Sequence, residues 1–164
     1  MAPDPLAHPE EAIRRLYRYV AYRIGPGADA EDVVSATIER ALKYRSSYNA
    51  RHGTPAAWLA GIANRCIADH MHSRTRQDQI GLDLPEGYAE DIASRTALRA
   101  DLARALAALD DRGRELIALR YGADLTSKEI GRLLDLKSGT VDVAIHRTLA
   151  RLRDLLEQHG ATDS

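Results

Sequence analysis

Apolar residues along this 164-residue chain recur at three- and four-residue steps, the period of helices that turn one side toward a core. From Pro9 to Ile24 the residues Ile13, Leu16, Tyr17, Val20 and Ile24 share such a face, and Gly25-Pro26-Gly27 ends the run. Asp29 can cap a second helix, Ala30 to Tyr44, whose stripe is Val33, Val34, Ile38, Ala41 and Leu42. Arg45 to Thr54 is polar, holds Gly53 and has no helical period, so it reads as a loop. Thr54-Pro55 then opens a helix, Thr as cap and Pro in the first turn, with Trp58, Leu59, Ile62, Ala63, Cys66, Ile67 and His70 on one face through about Ser73. Further on, Leu98, Leu102, Leu106 and Leu109 mark a helix from Ser94 to Leu109. Asp110 or Asp111 caps another, containing Leu116, Ile117 and Tyr121 and closed by Gly122.

The sharpest punctuation lies in Leu125 to Arg153. Thr126 and Glu129 form a capping box ahead of Ile130, Leu133 and Leu134, which predicts a short helix. Asp135 to Gly139 supplies turn residues. Ser138 can cap a longer helix in which Val141, Ile145, Leu149, Leu152 and Leu156 recur on one side, while His146, Arg147, Arg151 and Arg153 occupy the other. Two helices with this spacing are either a surface pair of an all-α bundle or a helix-turn-helix, whose second helix lies against phosphates and reaches base edges with its first turns.

Composition narrows the choice. With 45% hydrophobic and 29% charged residues the chain can bury a core. There is no Phe, and β-branched residues do not alternate, so strands have little support. The predicted fold class is all-α: two small helical domains, 9–76 and 94–157, joined by a flexible linker over 77–93, the second domain containing the helix-turn-helix. Within the linker, GLDLPEGYAEDIA carries Pro85, two glycines and four acids. MAPDPLAHPEE has neither a basic start nor an apolar run, and no stretch reaches a membrane span, so a cytoplasmic protein without membrane insertion is expected.

Net charge is −1, which argues against indiscriminate DNA coating. Binding then falls to local patches. From Leu136 to Arg153 the cations Lys137, Arg147, Arg151 and Arg153 face one carboxylate, Asp142, a local charge of +3. Such a surface holds duplex DNA weakly by itself and suits a subunit of a larger machine. The single cysteine, Cys66, excludes an internal disulfide and sits on an apolar face as core. His70 and His72, two apart, point to different sides of a helix, so a metal site is rejected. No phosphate loop or nucleophile with a base appears, and neither enzymatic activity nor a cofactor is expected.

Ala105 to Arg153 closely resembles the carboxy-terminal domain of bacterial sigma factors, which grips the minus-thirty-five promoter element. Upstream, AWLAGIANRCIADHMHSRTR resembles the sigma-factor helix that follows a Trp-Leu pair and contains Ile-Ala-Asn-Arg. The chain from about Pro9 to Leu156 thus resembles the extracytoplasmic-function group of the sigma-70 family. The resemblance implies polymerase docking through Asp29, Glu31, Asp32, Thr37, Glu39 and Arg40. Spacing alone favours the plainer account of Glu31 and Asp32, that early acids complement the helix dipole. It implies minus-ten contacts at Tyr48, Asn49, Arg51 and His52 in the loop, and at Asn64, Arg65, Asp69, His72, Arg74 and Arg76 on the helix. In that loop Tyr48 would stack on an unpaired base, although an ordinary solvated connection explains the same residues. For the minus-thirty-five element the implied set is Lys137, Ser138, Thr140, Asp142, Val143, His146, Arg147 and Arg151.

The chain departs from the family pattern at four places. Ser35-Ala36-Thr37-Ile38 replaces a Gln-Glu-Thr-Phe run, which implies a smaller polymerase contact. Gly61 stands where a bulky residue is usual, and the basic tail after it is thin. Asp142, Val143 and Ala144 replace a Lys-Ser-Arg run in the recognition helix. Asp142 can accept from cytosine, and Val143 and Ala144 can touch a thymine methyl, so an unusual minus-thirty-five sequence is expected, unless Asp142 only complements the helix dipole. The implied function is transcription initiation: binding core RNA polymerase, directing it to promoters and assisting their opening, with promoter DNA as partner and an anti-sigma factor as a further candidate. The alternative is a polymerase-independent DNA-binding regulator or interaction module built on the same domains.

Overall fold

A computed structural model describes residues 3–80 and 97–160, with side chains over 3–73 and 100–158. The order is α1 (Pro9–Ile24), α2 (Ala28–Lys43), a 3-10 turn at Arg45–Ser47, α3 (Pro55–Ile80), α4 (Ala97–Ala108), α5 (Asp111–Ile117), a π turn (Ala118–Gly122), α6 (Ser127–Leu134) and α7 (Ser138–Gly160). No strand is present among the described residues, and none of their helices is long and apolar enough to cross a membrane.

The helix ends follow from local chemistry. Pro9 stands in the first turn of α1, and Gly25, at φ 91°, closes it with its N–H donating to Ala21 O. Gly27, not Asp29, precedes α2 as the cap residue, so Asp29 lies inside the first turn, where its charge suits the helix dipole. Thr54 Oγ1 accepts from Ala57 N ahead of α3. That helix runs to Ile80, so 77–80 continue it rather than beginning a linker. Residues 81–96, the rest of the expected linker and the start expected for the next helix, lie outside the described residues. Asp110 caps α5 by accepting from Gly113 N at 2.9 Å. Arg114 on α5 donates to the carbonyls of Leu106, Ala107 and Leu109, supplying partners to the open end of α4.

The α1, α2 and α3 helices pack on one another, and α1 also packs on the π turn. One apolar cluster therefore runs through both halves of the chain, from Tyr19, Val20, Val33 and Ala63 to Leu116, Leu119, Leu125, Ile130 and Val141. A second cluster of Ala105, Leu106, Leu109, Ile117, Leu152 and Leu155 joins α4, α5 and α7. The seam is a close backbone approach. A Cβ on Gly122 would lie 2.7 Å from Tyr19 Cα and 3.0 Å from Tyr19 N. Arg18 crosses it, donating from Nε to Gly122 O at 3.0 Å and pairing with Asp124 at 3.1 Å. This explains a displaced stripe on α1: Tyr19 is 1% exposed while Ile13 is 43% exposed, because the π turn covers the Tyr19 side. Burial raises the Tyr19 hydroxyl above its ordinary pKa, and Arg23 donates to that oxygen at 3.0 Å.

Candidate nucleic-acid interface

The first helix of the helix-turn-helix opens as its punctuation predicts. Thr126 Oγ1 accepts from Glu129 N, and Glu129 Oε2 accepts from Thr126 N, so both halves of the capping box form. At the other end of α6, Leu136 N donates to Gly131 O at 2.8 Å, and Asp135 takes the left-handed conformation at φ 58°. Gly131 has to be glycine for this turn, since a Cβ there would meet Leu136 O at 2.4 Å. The second helix starts at Ser138 itself, so Ser138 is not its cap; Lys137 O accepts from Val141 N in the cap position.

Val141, Ile145, Leu152 and Leu155 of α7 are buried. Lys137, Ser138, Thr140, Asp142, Val143, His146, Arg147 and Arg151 are all exposed. Thr140, Val143, Arg147 and Arg151 follow one another at three- and four-residue steps and so share one side, with Val143 a protruding apolar side chain at 52% exposure. Asp142 is different. Its Oδ1 accepts from Ser127 Oγ on the first turn of α6, and Ser127 Oγ accepts from Arg120 Nη1 at 3.1 Å. Neither Ser127 nor Arg120 was expected as a site residue. The one signal for Ser127 is a hydroxyl beside a Thr that already supplies the cap.

Two expected contacts are corrected by burial. Tyr48 is 9% exposed, edge-on to Trp58 with ring centroids 5.5 Å apart, and its hydroxyl donates to Gly53 O at 3.0 Å. It shapes the loop from inside and leaves only a small edge in the cavity beside Asn49 and His52. Thr37 is 0% exposed and donates to Val33 O at 2.7 Å, a back-bond within α2 that a polymerase surface cannot reach.

Other members of these sets are engaged with the protein itself. Asn49 Oδ1 accepts from Arg51 N, setting a turn that leaves Arg51 and His52 exposed. Half-buried Asn64 accepts from Arg23 at 3.0 Å. Asp69 accepts from Arg40 at 2.7 Å, which places a residue expected at polymerase and one expected at DNA in a single pair. That hydrogen bond also raises the Arg40 pKa, and at such exposure the pair contributes little stability. Arg65 and His72 are exposed, whereas the side chains of Arg74 and Arg76 lie outside the described residues. Asn49, His52 and Arg65 line a cavity of about 360 Å³ whose far wall is Glu129, Arg132 and Leu133 of α6.

On α2 the acids Glu31, Asp32 and Glu39 are exposed, while half-buried Asp29 has its carboxylate 3.6 Å from His70 Nε2. His70 is thus a half-buried residue beside an acid of α2 rather than plain core. Leu42 and Tyr44, at 55% and 52% exposure, extend the exposed end of α2, with the Lys43 ammonium 5.5 Å from the Tyr44 ring centroid. The stripe pattern assigned Leu42 to the core and missed this apolar end.

Comparison with known proteins follows this geometry. Residues 10–77 match the family model for sigma-70 region 2, and residues 105–154 match that for sigma-70, region 4. The ECF RNA polymerase sigma factor BldN of Streptomyces coelicolor is 31% identical over 146 residues, covering 84% of this chain and 55% of that protein. SigE of Mycolicibacterium smegmatis, another ECF RNA polymerase sigma factor, is 37% identical over 158 residues, covering 90% and 59%. ShbA of Streptomyces griseus, named likewise, is 32% identical over 139 residues, covering 79% and 70%. The chain therefore spans a little over half the length of BldN and SigE. Among solved structures, the sigma factor RpoE of Bartonella quintana, in complex with the anti-sigma factor NepR, shares this fold with a TM-score of 0.70 at 22% identity, covering 90% of this chain and 93% of that one. CnrH, in complex with the cytosolic domain of CnrY, has a TM-score of 0.59 at 25% identity, covering 93% and 85%.

Proposed function

The chain belongs to the ECF RNA polymerase sigma factors, and on that premise we propose that it binds core RNA polymerase, directs it to specific promoters and assists their opening. The observation that carries this reading is the order of both sigma-70 regions on one chain, the second an intact helix-turn-helix exposing Lys137, Arg147 and Arg151. The first domain docks on polymerase through Glu31, Asp32 and Glu39, with Leu42 and Tyr44 adding apolar area at the same helix end. Asn49, Arg51, His52, Arg65 and His72 form its minus-ten side. Because α6 walls the cavity beside Asn49, His52 and Arg65, DNA entering there displaces α6. The second domain lays α7 on the minus-thirty-five element, with Arg147 and Arg151 on phosphates. Its modest local charge makes polymerase the source of most affinity, and the site of action is the cytoplasm. An anti-sigma factor is a candidate partner, as the RpoE complex illustrates for that protein.

Run-off transcription on genomic fragments, with the full chain added to core polymerase, tests the reading. Specific new transcripts are the expected result. A chain that binds promoter DNA tightly alone and never changes polymerase output would instead be a polymerase-independent regulator.

A further inference from the structure

We propose that Arg120, Ser127 and Asp142 form a positioning relay that sets how the recognition helix meets the upstream promoter element, and that Asp142 acts through Ser127 rather than by accepting from a base. The inference rests on the promoter reading above. Asp142 is the fifth residue of α7, where family resemblance implies a base or phosphate contact. Its Oδ1 already accepts from the Ser127 hydroxyl, which turns the carboxylate toward α6. Ser127 has one proton, which goes to Asp142, and one of its lone pairs is filled by Arg120 Nη1 at 3.1 Å. The neighbouring Thr126 supplies the helix cap, so the Ser127 hydroxyl is free for this second task.

The relay spans three elements: the π turn, the first turn of α6 and the second turn of α7. Its place along α6 gives it leverage. The Gly131–Leu136 turn joins the two helices at the far end of α6, where the backbones touch. The Ser127–Asp142 bond joins them at the near end, so the two ties, added to the shared core of Ile130, Val141 and Ile145, set the angle between α6 and α7. Without the near one, α7 can tilt about the turn and move Val143 relative to the bases, and Arg147 and Arg151 relative to the phosphates, that they meet.

Charge favours the same assignment. A free carboxylate on a surface that meets phosphates is repulsive, whereas one turned onto Ser127, with Arg120 one hydroxyl away, has its charge partly compensated. The exposed side of α7 is then left to Thr140, Val143, Arg147 and Arg151.

The test is transcription by the full chain with core polymerase across a promoter library randomised in the upstream element, alongside thermal melting of each variant. Ser127→Ala and Asp142→Ala should flatten the preference profile in the same way, losing about threefold to tenfold discrimination, the scale of one net hydrogen bond. The double variant should be no worse than either single one. Asp142→Asn, which still accepts from the hydroxyl, should keep the wild-type profile, and so should Ser127→Thr. If Ser127→Ala keeps the wild-type profile while Asp142→Ala and Asp142→Asn both change preference at one base pair, Asp142 reads that base and the relay is overturned. If the alanine variants melt lower with profiles unchanged, the contact is a structural tie alone, which also overturns it. A wild-type chain with no upstream preference at all would remove the promoter reading of α7 itself, a result distinct from either.

Discussion

Gly122→Ala puts the docking of the two halves at risk of refutation, because two physical effects of opposite sign meet at that residue. Gly122 ends the π turn without a positive φ, so replacing glycine there would ordinarily stabilise the fold by up to about 1 kcal/mol through lower unfolded-state entropy. Against this, the added Cβ would lie 2.7 Å from Tyr19 Cα, 3.0 Å from Tyr19 N and 3.3 Å from Arg18 C, and all three are backbone atoms that cannot swing aside. The α1 helix must back away by several tenths of an ångström, which loosens Tyr19 and Leu119 and stretches the Arg18 bond to Gly122 O. Overpacking of this kind costs about 1–3 kcal/mol, so the clash outweighs the entropy gain and the net effect is destabilising. Gly61→Ala supplies the contrast. Its Cβ meets nothing within 4 Å on α3, so that variant should gain up to about 1 kcal/mol. Urea unfolding followed by circular dichroism and by the single tryptophan, Trp58, reports on the whole chain and on the first domain separately. The expected order of stability is Gly61→Ala, wild type, Gly122→Ala, with melting temperatures spaced by about 2–4 °C per kcal/mol. A Gly122→Ala protein more stable than wild type would mean that α1 is not seated on the π turn in solution.

Three other predictions follow from single contacts. Reversing Asp32 and Glu39 to Lys should weaken binding to core polymerase with hardly any change in melting temperature, since both are exposed; unchanged affinity in a pull-down titration would leave them a solvated face. Tyr48→Phe removes the bond to Gly53 O while keeping the ring against Trp58, so it should cost about 0.5–1.5 kcal/mol of stability. Opening of a minus-ten bubble, followed by permanganate footprinting, should be retained by that variant once folded, and loss of opening in a folded protein would return Tyr48 to a direct role. Arg147→Ala should weaken promoter binding alike across sequences and reduce the salt slope by about one, measured by anisotropy at several salt concentrations; a change confined to one base pair would make Arg147 a base reader.

Helix placement was legible in the amino-acid order because caps and periodicity are local. The bounds of α1, the Thr54 and Asp110 caps and the Thr126–Glu129 capping box each need only residues within one turn to form, so they can be recognised without knowing what lies across from them. The same holds for the exposed side of α7, which follows from the buried positions Val141, Ile145 and Leu152 by helical geometry. Identity of partner is a different kind of information. Tyr19 is the buried tyrosine of α1 instead of Tyr17 because Gly122, more than 100 residues later, has no side chain to hold the π turn away. Periodicity assigns Leu42 to the apolar stripe of α2, yet it is exposed because none of the described elements covers that end, while Thr37, a polar residue in line with Val33 and Ala41, is sealed in. Tyr48 looked available to a base until Trp58 and Gly53 closed on it. Asp142 has its partner fifteen residues earlier, on another helix, at a distance set by a turn whose tightness depends on Gly131. Periodicity names the side of a helix that seeks burial; which neighbour arrives there, and which polar atom it brings, depends on contacts between residues far apart in the chain.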